Sequence, residues 1–173
     1  MTHFGKLLVA ALGALSLVAV GSATVLAHDG HGDTHSILEF NSMTPVSGAA
    51  VGTVNDRNLK GGGLAWVIAS GSGEVDRNGH VEVSVKGLVI PALGNINPLA
   101  AAGFKAIVSC VTRHHVIVNV STGVFPATMA GDSTINDTVA LPRQCQHPIL
   151  FVTSTGGSWF AMSNPRGHDE DDD

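Results

Sequence analysis

Between His28 and His35 the run "HDGHGDTH" carries three histidines and two aspartates, His28, Asp29, His31, Asp33 and His35, with no large apolar residue among them. Imidazole nitrogens suit copper, zinc and nickel, and carboxylate oxygens can complete such a donor set. If processing makes His28 the first residue, its α-amine and imidazole can chelate Cu(II) together, with His31 and His35 filling further positions. The spacing departs from the amino-terminal copper and nickel clasp, which takes a histidine at the third position, where Gly30 stands here. It also departs from copper enzymes that cleave polysaccharides. Those need a second histidine on a rigid support and usually an axial aromatic, and this chain has no Tyr. The expectation is a polar leader, with copper, zinc or nickel binding through His28, His31 and His35 as its chemical alternative.

Other residues with chemical potential are scattered. His114 and His115 are adjacent, so on a regular strand their rings point to opposite faces, and only a turn could bring them to one ion. His80 follows Gly79, and His147 precedes Pro148; both read as lone turn residues. Serines are plentiful, but "SGSGE" at Ser70 to Glu74 is not the nucleophile elbow of a hydrolase. Glu74, Asp76 and Glu82 could be drawn together as a carboxylate pair for glycoside cleavage, yet they flank a turn and read as solvent-face charges. Gly61-Gly62-Gly63 lacks the Lys and helix of a phosphate loop. Asn119-Val-Ser and Asn136-Asp-Thr match the glycosylation acceptor pattern, which matters only in a eukaryotic host. The reading is of a non-enzymatic protein with no cofactor.

The segments that would position these residues begin with a leader. Lys6, with His3 nearby, precedes the uncharged stretch Leu7 to Val20, and Val25-Leu26-Ala27 fits a cleavage site, so residues 1–27 read as a secretory signal peptide. An uncleaved anchor is the alternative, since Leu7 to Ala27 is long enough to span a bilayer; a membrane enters only in that case. Residues 28–63 read as a His/Asp-rich leader and Gly/Ser-rich linker, 64–164 as the folded domain, and 165–173 as an acidic, solvated tail. The formal charge is −5, and Asp169 to Asp173 supply much of it. No basic stripe is present, which argues against nucleic acid as a partner.

Hydrophobic residues make up 44% of the 173 and charged ones only 13%, with 21 Gly, a profile of an exported β-rich chain. Cys110 and Cys145, an even pair in an exported chain, are expected to be bridged, which adds roughly 4 kcal/mol on loop-closure grounds. Val81, Val83 and Val85 alternate with Glu82, Ser84 and Lys86, the pattern of a half-buried strand. Asp76-Arg77-Asn78-Gly79 before it is turn chemistry, so a hairpin with Leu64 to Ser70 as the partner strand is predicted. Ile37 to Phe40 is a candidate first strand, and one weak edge strand is allowed between Asn41 and Gly63. Phe104 to Thr112 and Val116 to Phe125 form a second hairpin around Arg113 to His115. Ser133 to Leu141, Ile149 to Ser154 and Trp159 to Ser163 follow. About seven short strands with turns between them predict an all-β fold, an antiparallel β-sandwich, immunoglobulin-like or similar.

The features "WVIASGSGEVDRNGHVEVSVKGLVIP", Ser109-Cys110 within a strand, the second cysteine after "ALPRQ" and the closing "WFAMS" carry a resemblance. Over residues 66–162 the chain resembles a group of small exported bacterial proteins of uncharacterised activity. That resemblance implies export, a β-sandwich and one disulfide, and brings no activity with it. The functional expectation is an exported module with a structural, adhesive or ligand-binding role toward an extracellular ligand or surface partner.

Overall fold

The computed structural model describes residues 36–165. The stretch read as a signal peptide, the candidate ligands His28, His31 and His35, and all of the expected acidic tail but Pro165 lie outside them. Nine strands form: β1 Ser36–Phe40, β2 Ser42–Pro45, β3 Ser70–Asp76, β4 His80–Lys86, β5 Lys105–Val111, β6 Ile117–Ser121, β7 Ser133–Thr138, β8 Gln146–Thr153 and β9 Trp159–Asn164. They make a four-stranded sheet in the order β1-β3-β4-β7 and a five-stranded sheet in the order β2-β9-β8-β5-β6. Every pairing is antiparallel. The fold is therefore the expected all-β sandwich, with nine strands rather than about seven.

Alternation builds the shared core. Val81, Val83 and Val85 of β4 are fully buried and pack with Val75, Ile135, Ala106, Val108, Leu150 and Val152, drawn from both sheets. Trp66 stacks on Phe160 with ring centroids 4.2 Å apart, and Phe104 meets both rings from the side. Large rings add burial area and a preferred mutual geometry that aliphatic packing lacks.

The hairpin forms around the expected turn, but with a different partner strand. Asp76 Oδ1 accepts from the backbone N–H of Asn78 and of His80, both at 2.8 Å, and Gly79 adopts a positive φ of 86°. The strand entering the turn is β3, "SGSGEVD", and not Leu64 to Ser70. Within Leu64 to Ala69 only Val67 makes a ladder contact, a single bridge to Val89, while Trp66 is buried as a loop anchor. The inward positions of β3 are Gly71, Gly73 and Val75. A side chain at Gly73 would collide with the Glu82 carbonyl oxygen and stand 2.9 Å from Phe40 Cζ, so β3 gives up apolar periodicity to admit Phe40.

The stretch ahead of residue 64 also contributes to the sandwich. The stretch from 28 to 63 read as leader and linker contains β1 and β2, each hydrogen-bonded into a sheet, so the sandwich starts before residue 64. Residues 52–62 then fold back as a strap against the five-stranded sheet. Gly61 N–H donates to the Thr53 carbonyl at 2.8 Å and Trp159 N–H donates to that of Lys60 at 2.9 Å.

Cys110 and Cys145 are bridged, with Cα atoms 4.8 Å apart. The bond joins β5 to the residue before β8, its hydrogen-bonded neighbour, where the register slips between Ser109 and Val111. In immunoglobulin domains the bridge crosses between sheets; here it fastens a bulge within one sheet. Such a bond belongs to a non-reducing environment. Among the described residues, no helix is long and apolar enough to cross a membrane.

Candidate functional site

The sandwich separates the residues that sequence reading singled out. His114 and His115 are exposed at the tip of the β5–β6 hairpin, where His115 has a φ of 58°. His80 begins β4, and His147 near the start of β8 also has a positive φ, 45°. Among the described residues no three His, Cys, Asp or Glu side chains are grouped to hold a metal ion. Asn119 and Asn136 are exposed on different sheets, and the Asn119 amide donates to the Arg57 carbonyl at 2.8 Å. Ser70 to Glu74 is strand rather than a nucleophile turn, and Gly61 and Gly62 belong to the strap.

One group does come together. In β3 and β4, Glu74 and Glu82 are direct cross-strand partners, and Glu39 of β1 is the partner of Glu74 on its other side. Asn136 of β7 completes the row opposite Glu82. Neighbouring strands lie about 4.8 Å apart, so three carboxylates run side by side over the outer face of the four-stranded sheet. Parallel to this row lie Ser72, Ser84 and Thr134, again direct partners. Their alternate neighbours, Val75, Val81, Val83 and Ile135, are fully buried, which fixes the outward orientation of the polar set.

Three aspartates of this sheet and its turns accept hydrogen bonds from backbone N–H groups. Asp76 loses some hydration, which raises its pKa, but the His80 and Asn78 N–H groups and His80 charge outweigh that and hold it below the ordinary value. Asp132 is held low by the Gly87 N–H, against a desolvation effect, with Lys86 adding to the lowering. Lys86 Nζ and Asp132 Oδ2 are 3.5 Å apart. Asp137 at the edge of the sheet is held low by the Gly123 and Thr138 N–H groups.

The opposite side of the molecule is built differently. The strap buries Leu59 and Arg57 against the five-stranded sheet. Asn55 Oδ1 accepts from the Arg57 and Leu59 N–H groups, both at 3.0 Å, and so bends the strap tip. Arg57 reaches the Ser109 carbonyl at 3.3 Å and that of His147 at 3.0 Å, on the two strands that slip past each other at the bulge. Sequence reading missed Arg57, because its neighbours Asn55, Asp56 and Asn58 read as linker.

Compared with protein-family models, with curated proteins and with solved structures, the chain matches none.

Proposed function

We propose that the chain is an exported, non-enzymatic β-sandwich module that binds a ligand or surface through the outer face of its four-stranded sheet. The observation that carries this reading is the direct opposition of Glu74 and Glu82, extended by Glu39. Like charges placed directly opposite destabilise a sheet, and Ser or Thr, which occupies the adjacent row, would avoid the cost. A face that keeps the carboxylates at that cost has a use for them. Complementary charge gives specificity and speeds encounter more than it adds raw affinity, so the partner is one that presents cationic groups or hydrogen-bond donors. The disulfide-fastened sheet behind this face supports a rigid, extracellular presenting surface.

The test uses the protein purified from the medium and the washed envelope of the cells that produce it. Retention of the protein on the envelope is expected to fall by about thirtyfold or more in Glu74→Ser/Glu82→Ser, a loss of the size one hot spot carries. Equal retention of the variant, or no retention of the parent protein, overturns the reading.

A further inference from the structure

We infer that the open edge of β6 pairs with the same edge of a second copy, joining two five-stranded sheets across a two-fold axis. Thr122 N–H donates to the Ala106 carbonyl, and Thr112 N–H to that of Val116. With Cys110 opposite Val118 and Val108 opposite Val120, alternation turns the backbone of Val118 and Val120 toward β5. The N–H and C=O groups of Ile117, Asn119 and Ser121 therefore face away from the sheet. An edge of this kind is a template for another strand.

The other three edges are guarded. The β1 strand has a register slip between Ser36 and Leu38 and carries Glu39. The second strand, β2, is short and ends in Pro45. On β7 the Asp137 carboxylate reaches over to accept from Gly123 N–H at 2.7 Å. By contrast, Val116 to Phe125 contains no charge and no proline, and Val116 and Val124 at its two ends are more than half exposed.

Self-pairing has one register that uses the whole strand. Centred on Asn119, it sets Asn119 against Asn119 and Ile117 against Ser121, outward-facing backbone against outward-facing backbone, for about six hydrogen bonds. Val118 then lies beside Val120 of the second copy, so the buried side of the sheet continues across the axis. The same register brings the hairpin tip of one copy, with exposed Arg113, against the Thr122 to Phe125 end of the other, where Asp137 is held at Gly123. Among the described residues neither Arg113 nor Asp137 has an oppositely charged side chain in ion-pair contact. The two-fold supplies each with one, and this complementarity selects a second copy over an unrelated strand.

Sedimentation velocity over a concentration series, on the protein as it accumulates, reads the association. A monomer–dimer equilibrium is expected. Ser121→Pro removes an outward donor without touching the β5 ladder and is expected to weaken the dimer at least about thirtyfold, one lost ladder bond on each side of the axis. Its far-ultraviolet spectrum and melting temperature serve as the folding control. Arg113→Glu, at an exposed tip, is expected to weaken the dimer as well, and Arg113→Glu with Asp137→Lys to recover it. The proposal is overturned by a parent protein that stays monomeric at every concentration, by a monomer that instead takes up a free peptide of the sequence Val116 to Phe125, or by a dimer that both single variants leave unchanged.

Discussion

Arg57 Nη1 donates to the Ser109 carbonyl oxygen at 3.3 Å, while the hydroxyl of that same serine, fully buried, has no partner. The cation is satisfied by backbone and the small dipole beside it is not. Two opposite predictions follow from one contact. Arg57→Ala removes charged hydrogen bonds to Ser109 and His147 and uncovers the bulge, and is expected to destabilise the fold by about 2–3 kcal/mol. Ser109→Ala removes an unpaired buried hydroxyl and is expected to stabilise it by roughly 1 kcal/mol. Urea unfolding of both variants checks the signs together.

The disulfide is expected to matter for stability more than the Arg57 contacts do. Cys110→Ala/Cys145→Ala should lose roughly 3–4 kcal/mol, or about 10 °C in melting temperature. A calorimetric scan of the double variant beside the parent measures it. Because the bridge lies within one sheet, the loss is expected first as weaker amide-exchange protection in β5 and β8, before the four-stranded sheet is affected.

The carboxylate row predicts a trade between stability and binding. Glu74→Thr relieves repulsion from Glu82 and places a strand-favouring residue on an outer face, so stability should rise by about 0.5 kcal/mol. Envelope retention should fall in the same variant. Thermal melts at low and moderate salt test the cause, since the gain should shrink as salt screens the charges.

Acid sensitivity follows from Asp132 and Asp137, whose pKa values are held below the ordinary 3.8 by backbone N–H groups. A carboxylate with a depressed folded pKa contributes stability above its unfolded value and loses it as pH falls through the folded one. Melting temperature should therefore decline as pH drops below about 4. Asp132→Asn and Asp137→Asn should each flatten that decline while leaving its onset in place.

Much of the fold was readable because several strands wear their burial openly. In β4, valine alternates with polar residues, and the Asp76 to Gly79 turn announces itself by residue type. The partner strand was not readable in the same way. In β3 the inward positions are two glycines and one valine, chosen to admit Phe40 and Met43 from other strands, and that requirement is invisible until the strands are placed. The apolar run Leu64 to Ser70 misled for the converse reason, since Trp66 is buried from a loop. Pairing of the cysteines was readable from their number and setting, but not their location within one sheet, because strand order is not written locally. The carboxylate row lay one step away. Once the turn is fixed at Asp76 to His80, counting back along either arm sets Glu74 against Glu82, provided that "SGSGEVD" is admitted as a strand. Arg57 gave no signal, since a long cation among Asn and Asp looks solvated until a sheet is found beneath it.

Every functional statement above depends on the chain working outside the reducing interior of the cell. The intact mass of the protein recovered from its producing cells, before and after reduction, tests this most directly. The expected product is a chain that lacks residues 1–27, found outside the cytosol, and lighter than its reduced form by the two hydrogens of one disulfide. A full-length chain recovered from the cytosol with Cys110 and Cys145 as free thiols would contradict it.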